Sequence, residues 1–556
     1  MSIHTDKLPL EMLYHWAEHQ PDAIYLRQPK DGHWHQYSWA QVLEQAARLV
    51  AGLRALGLEP GDKIALLSKN CAEWFICDFA LQMGGYVSVP IYPTAGADTV
   101  RYVLEHSESK AIFTGKLDEP GMQEPGIPDG LIRLAMPYPS TMETHHHWAD
   151  LLARAPIAER PVPARDSLMS LVYTSGSTGN PKGVMICFGP YAAACQGILQ
   201  TTGLSSEDRA FSYLPLSHIT ERVYILGASL YGGVPVGFAQ SLDTFIEDVK
   251  TISPTVFISV PRLWTNFRSR ILEKLPQKKL DLLLKVPFIS GLVKKKIRAG
   301  LGLSAARILG CGSAPVSPSL LRWYERLDMP ITEAWGMTEN LAYSTLNYPY
   351  RSDKVGTVGK PGVRVEIRIS DSGEVLCRCP GMMSGYYKQE SATREALQDG
   401  WLHTGDQGRL DADGYLTITG RTKDAFKTAK GKYVLPVPIE AMLIENELVE
   451  QVCVVGSGQA QPVALVQLAE GAQQRQKGAI AEQLAATLGH VNQKLESHQR
   501  LGGILVMQAP WTVDNDIMTP TLKIKRHLLE QRYADLDQRW PGGQVILWEQ
   551  DLPAAG

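Results

Sequence analysis

Four short stretches carry residue types and spacings that suit chemistry. In YTSGSTGNPKG (173–183), hydroxyl side chains and two glycines (Thr174, Ser175, Gly176, Ser177, Thr178, Gly179) precede Lys182. Such a run brings backbone amides, hydroxyls and an ammonium to bear on a polyanion. It is not the G-x-x-x-x-G-K-[ST] loop, because two residues separate Gly176 from Gly179, Pro181 precedes Lys182, and Gly183 stands where the magnesium-binding hydroxyl belongs. Alone it also reads as a Ser/Gly-rich surface turn. In EAWGMTEN (333–340), Thr338 and Glu339 offer the hard oxygens that Mg²⁺ prefers beside phosphate, or else an ordinary helix start. In DGWLHTGDQGRLDADGYLTITGRTKDAFK (399–427), Asp406 is expected in a tight T-G-D turn, where its carboxylate can accept two ribose hydroxyls. Arg421 and Lys423 follow a predicted strand. In TPTLKIKRH (519–527), Lys523 lies in a basic segment and alone is a surface lysine. Three adjacent histidines in METHHHW (142–148) read as solvated loop, since consecutive side chains do not converge on one ion.

The elements that must position these residues follow from periodicity. YSWAQVLEQAARLVAGLRALGL (37–58) has helical spacing, and KIALLS (63–68), YVSVPIY (86–92) and AIFTG (111–115) read as buried strands separated by helix-like runs. Strands alternating with helices predict parallel sheets, and the rhythm returns at SLVYTSG, TVFISVPRLW and AARILGCGSAPV. From about residue 355 short antiparallel strands with glycine turns are expected, and beyond Arg421 a smaller unit. The fold class is therefore α/β: a large body of mixed sheets flanked by helices (1–421) and a small α+β C-terminal domain (422–556). At 556 residues two or three domains are expected. Composition, with 44% apolar and 20% charged residues and a net charge of −3, is that of a soluble globular protein and argues against nucleic acid as a partner. Eight cysteines without a C-x-x-C pair, and an N-terminus without an apolar signal core, predict a reduced cytoplasmic protein.

Taken in order, the four stretches resemble the adenylate-forming superfamily of acyl-CoA synthetases, peptide-synthetase adenylation domains and luciferases. The phosphate loop of that superfamily matches YTSGSTGNPKG, its G-x-T-E motif matches WGMTE, its T-G-D and G-R-x-K-D motifs match 404–406 and 420–424, and its C-terminal lysine motif matches PTLKIKR. Within it, D-G-W-L-H-T-G-D (399–406), VPRLWTNFRSRI (260–271) and YLPLSHITER (213–222) look like long-chain fatty acid–CoA ligases. Gln407 and Leu410 replace a usual apolar residue and a usual Trp, and Gly420 to Lys423 departs from the common D-R-K-K. After K-G-V-M the chain reads Ile186, Cys187, Phe188, Gly189, Pro190 in place of apolar-Ser-His-x-Asn, which implies altered packing beside an acyl pocket.

The resemblance implies ATP, Mg²⁺ and coenzyme A as reactants. The carboxylate attacks the α-phosphorus, pyrophosphate leaves, and a thiol displaces AMP. Residues 174–179 and Lys182 would neutralise the outer phosphates, Glu339 would hold Mg²⁺, and Thr338 would face the α-phosphate. Gly312, Ser313 and Ala314 with Glu333, Ala334, Trp335 and Gly336 would wall the adenine. Asp406 and Arg421 would bind ribose, Lys523 would stabilise charge during adenylation, and Lys423 would be the hinge of a mobile lid. His218 aligns near the carboxylate end of the acyl pocket, or is a core histidine. An acyl carrier protein as acceptor, a specialised non-fatty acid, an oxygen-using luciferase and a non-catalytic binding homologue are the alternatives. Residues 271–303 hold eight Lys/Arg against Glu273 and Asp281, so they suit either peripheral contact with the anionic inner membrane face or a solvated helical surface.

Overall fold

A computed structural model describes residues 7–174, 180–472, 475–513, 515–519, 523–541 and 543–553. Its first large sheet grows from strands that are apolar on both faces, as parallel strands covered by helices require. Lys63–Leu67 pairs in parallel with Val87–Ile91 and Ser109–Thr114. Leu168–Thr174 joins parallel to Val87–Ile91 through Ser88 and Ser170, and antiparallel to Lys182–Cys187. The helix Trp39–Ala55 packs on the helix Ala72–Gly84 and begins at a capping box. Ser38 Oγ accepts from Gln41 N (3.3 Å), and Ser38 N donates to Gln41 Oε1 (2.8 Å).

The second large sheet has a parallel centre of Ala210–Ser212, Val256–Ser259, Ile308–Cys311 and Ile331–Trp335. Its strands end where Gly312–Ala314 and Trp335–Glu339 leave it. In open α/β sheets that carboxyl edge is where ligands bind. The two sheets are locked together at a buried ion pair: Arg222 Nη2 lies 2.7 Å from Asp78 Oδ1, both side chains almost fully enclosed. Its other terminal nitrogen donates to Ser88 Oγ (3.1 Å) and Ser170 Oγ (2.7 Å) on adjacent strands.

A third, antiparallel sheet of Glu366–Ile369, Glu374–Arg378, Trp401–Leu410 and Leu416–Arg421 completes the body. Here the structure corrects one expectation. Residues 404–406 are not a tight turn; they continue the strand Trp401–Leu410, with Gly405 at φ +68° and a register shift between Gln407 and Gly408. A glycine-centred kink inside a paired strand re-aims one side chain without ending the strand. That side chain is Asp406.

The C-terminal unit has its own four-stranded sheet, Val449–Val455, Val463–Leu468, Gly503–Val506 and Ile546–Trp548, covered by the helix Lys477–Lys494. Two apolar clusters drawn from residues 426–552 form its core, separate from those of the body. An ion pair between exposed side chains crosses from the body to this unit, Arg262 Nη2 to Glu450 Oε1 at 2.6 Å. Among the described residues no helix is long and apolar enough to cross a membrane.

Candidate active site

Thr174 and Lys182 are register partners across the antiparallel pair, so the ends of the first motif meet at the edge of the cleft. Ser175, Gly176, Ser177, Thr178 and Gly179 lie outside the described residues. Lys182 is half-buried, with its ammonium 4.8 Å above the ring of Tyr386. The same tyrosine donates its hydroxyl to Glu339 Oε1 at 2.7 Å. Tyr386 thus bridges the lysine of the first motif to the carboxylate of the second. Sequence reasoning missed it, and the only signal was G-Y-Y (385–387), whose first two residues pair with the strand Lys182–Cys187.

Thr338 and Glu339 open a 3₁₀ turn, Thr338–Asn340, just past the strand Ile331–Trp335. Gly336 is sterically required there: a Cβ would come within 2.6 Å of the Ala342 backbone. Glu339 is buried, and no bond to its Oε2 occurs among the described residues. No group of three or more His, Cys, Asp or Glu suited to a metal ion is found among the described residues. A lone buried carboxylate of this kind could supply one oxygen to a magnesium ion whose other ligands are phosphate and water oxygens.

Asp406 sits between two partners. Trp335 Nε1 donates to Oδ2 at 2.8 Å, and Arg421 Nε lies 2.8 Å from Oδ1. Each carboxylate oxygen keeps a further lone pair, so the group can still accept two hydroxyls. Arg421 is charge-stabilised first by Asp406, which raises its pKa against the opposing effect of burial.

Gly312 follows the strand Ile308–Cys311, and a Cβ on it would press to 3.3 Å from Ala334 O. Ser313 is held at φ +66°, a strained conformation for a non-glycine residue, and its Oγ lies 3.5 Å from Thr220 Oγ1. Ala314 is exposed at the cleft. Gly312, Ser313, Ala334, Trp335 and Gly336 line one end of a mainly apolar cavity continued by Ile198, Leu204, Tyr224, Val256 and Ile308. Glu333 is not among its lining residues. Its Oε2 accepts from Gly356 N at 3.0 Å, and burial pushes its pKa up to about 7.

His218 caps the short helix Ile219–Glu221, its Nδ1 accepting from Thr220 N at 3.2 Å. With Nδ1 an acceptor, the neutral ring carries its proton on Nε2. Burial, and then the Lys523 ammonium, push its pKa down to about 3. The helix runs on as a π-helix, Arg222–Gly227, whose Tyr224 enters the cavity. Glu221 anchors the segment: its Oε1 accepts from Ser212 Oγ (2.7 Å), Tyr213 N (3.1 Å) and Asn70 Nδ2 (3.2 Å).

Lys523 comes from the C-terminal unit. Its backbone is fixed by Thr519, with N donating to Thr519 Oγ1 (3.1 Å) and O accepting from Thr519 N (2.8 Å). Its side chain keeps contact with solvent but stands in the cleft, within electrostatic reach of His218, Arg421, Asp406 and Glu339. The surrounding protein, and then Arg421, lower its pKa, while Asp406 and Glu339 oppose the change. Lys423 is exposed on the connection between the strand Leu416–Arg421 and the C-terminal unit.

Lys182 from the first motif, a buried carboxylate, an aspartate with spare lone pairs and a lysine brought from a second unit meet at one cleft. The profile of the AMP-binding enzyme family matches residues 13–387, and that of the AMP-binding enzyme C-terminal domain matches 423–537. The chain belongs to the AMP-binding enzyme family. This AMP-binding enzyme is 30% identical to the long-chain-fatty-acid–CoA ligase FadD15 of Mycobacterium tuberculosis, over 94% of this chain and 95% of the relative. It is also 30% identical to the peroxisomal long chain acyl-CoA synthetase 7 of Arabidopsis thaliana, over 94% and 84%. Its fold is that of solved adenylate-forming enzymes. The adenylation domain of a carboxylate reductase from Mycobacterium chelonae superposes with a TM-score of 0.80 at 23% identity, covering 96% of this chain and 91% of that one. The o-succinylbenzoate CoA synthetase of Bacillus subtilis, solved with its acyl-adenylate, gives 0.73 at 22%, covering 93% and 97%.

Proposed function

We propose that this AMP-binding enzyme activates a medium- to long-chain fatty acid with ATP to the acyl adenylate and transfers the acyl group to CoA, releasing pyrophosphate and AMP. The observation that carries the reading is the continuity of the cleft with the apolar cavity: polar groups suited to a nucleotide end where Ile198, Leu204 and Tyr224 begin. The names of the curated relatives support the fatty acid and CoA. As it stands the cavity has only about 60 Å³ open, room for a few waters, so a chain must displace side chains as it enters.

The residues divide the work by chemistry. Asp406 and Arg421 hold the ribose, Trp335 fixes Asp406, and Gly312 and Gly336 leave room for the adenine. Lys182 and the hydroxyls of the first motif take the outer phosphates, with Thr338 near the α-phosphate. Magnesium bound at Glu339 would neutralise phosphate charge. His218, neutral with its proton on Nε2, orients the fatty carboxylate by donating to it. Lys523 supplies positive charge to the α-phosphate and the attacking oxygen in a partly dehydrated cleft. The body then ends at residue 421, and the unit 422–556 swings about Lys423 to admit the thiol.

ATP–pyrophosphate exchange across acids from acetate to C18, followed by transfer to CoA or to a phosphopantetheine carrier protein, tests the reading. Exchange concentrated among medium and long chains with transfer to CoA is expected. Exchange limited to short or aromatic acids, or transfer to the carrier protein alone, overturns it.

A further inference from the structure

The helices Gln277–Lys285 and Ile289–Gly300 form a hairpin that uses only one of its faces for folding. Leu280 is buried, and Leu284, Val293 and Ile297 pack on the body's second apolar cluster. The opposite face has no such role, yet it is apolar at its tip. Phe288, between the helices, is 92% exposed, with Leu292 at 69% and Leu282 at 64%. Phe288 is also held at φ +65°, a backbone state that bulky residues avoid. Folding gains nothing from a phenyl ring placed there.

The charges follow the same stripes. Lys278 and Lys285 flank Leu282, and Lys295 and Lys296 follow Leu292, all at helical i+3 or i+4 spacing and all exposed. Lys294 is taken by Asp328 at 2.9 Å, and Arg298 donates to backbone carbonyls. The four lysines on the stripes make no ion pair among the described residues. An apolar tip ringed by unpaired lysines complements an anionic bilayer, whose headgroups meet the ammoniums while the tip enters the acyl boundary. The hairpin also leads into the strand Ile308–Cys311, which lines the apolar cavity.

We propose that this hairpin docks the enzyme on anionic lipid, with Phe288 and Leu292 inserted and Lys278, Lys285, Lys295 and Lys296 against headgroups. The partner is chosen on the strength of the proposed fatty substrate, which partitions into bilayers, but the docking is tested without catalysis. The full chain is sedimented, without ATP or CoA, with vesicles of phosphatidylcholine alone or with 30% phosphatidylglycerol, at low and high salt. Binding to the anionic vesicles alone, weakened by salt, is expected. Phe288→Ser with Leu292→Ser should weaken it at least tenfold, and Lys295→Glu with Lys296→Glu by well over the roughly fivefold expected per lysine neutralised. Both variants should keep parental exchange activity with a soluble medium-chain acid, which also shows that they fold. Absence of low-salt binding by the parent, or equal binding by parent and variants, overturns the proposal. So does a lipid-free dimer that Phe288→Ser with Leu292→Ser converts to monomer, because the face would then be covered by a second copy. Loss of docking with fatty acid activation intact leaves the proposed reaction standing, and the converse separates the two equally well.

Discussion

Replacing Lys523 with alanine removes a cation that the C-terminal unit brings into electrostatic reach of Glu339, Asp406 and His218. The body already holds Arg421 against Asp406 at 2.8 Å. The nucleotide therefore keeps its ribose contacts in the variant, and ATP binding should change little. What disappears is charge where it develops during attack on the α-phosphorus. Losing one such donor costs about 3 kcal/mol, or more than a hundredfold in rate. ATP–pyrophosphate exchange should fall by that factor, with KM for ATP within a few-fold of the parent. Acyl-CoA formation from pre-made acyl adenylate should stay within a few-fold. Lysine and arginine also differ usefully here. The surroundings of Lys523 lower its pKa, so the alkaline limb of exchange begins below the pH of an ordinary lysine. In Lys523→Arg that limb should vanish, because guanidinium does not deprotonate. Equal losses in both half-reactions, or an unchanged alkaline limb in Lys523→Arg, would refute the role.

Tyr386→Phe keeps the ring under Lys182 but removes the 2.7 Å bond to Glu339. It should raise the Mg²⁺ concentration needed for half-maximal exchange by about tenfold, the worth of a hydrogen bond to a charged group, and an unchanged Mg²⁺ curve would dismiss Tyr386 as a positioning residue. Glu221 has its pKa raised to about 8 by burial. Its native state therefore binds a proton that the unfolded chain has lost, and stability from this group, full below the ordinary carboxylate pKa, is lost as pH rises through 8. Glu221→Gln should flatten the fall in melting temperature between pH 5 and 8, and a parallel profile would contradict the assignment. Arg222→Met strands Asp78 without its 2.7 Å partner and should destabilise the body by about 3–5 kcal/mol, read as a lowered melting temperature that the double variant with Asp78→Leu largely restores; full stability of the single variant would rule this out.

The residues that were legible in the sequence are those whose chemistry is local. The glycines and hydroxyls before Lys182, the Thr-Glu pair and the aspartate after Gly405 declare themselves by type and order, and strands such as Lys63–Leu67 by unbroken apolarity. What was not legible depends on partners far along the chain. Tyr386 acts on Glu339 from 47 residues away, and Asp78 meets Arg222 across 144. No local pattern encodes either contact. The T-G-D stretch misled for a related reason. Gly405 does take a positive φ, as a turn would need, but pairing with Leu416–Arg421 on the far side keeps the chain extended. The bond from Gly356 N to Glu333, 23 residues apart, is likewise not encoded locally.

The bridge from Arg262 to Glu450 joins the two units through exposed side chains. Such a pair is worth at most about 1 kcal/mol, roughly a fivefold bias between the two orientations that the proposed swing requires. A reactant that prefers either orientation tenfold outweighs it. In the proposed swing about Lys423 this bridge would act as a weak spring rather than a bolt, and because its charges are screened by salt, ionic strength would become a dial on how long Lys523 stays in the cleft.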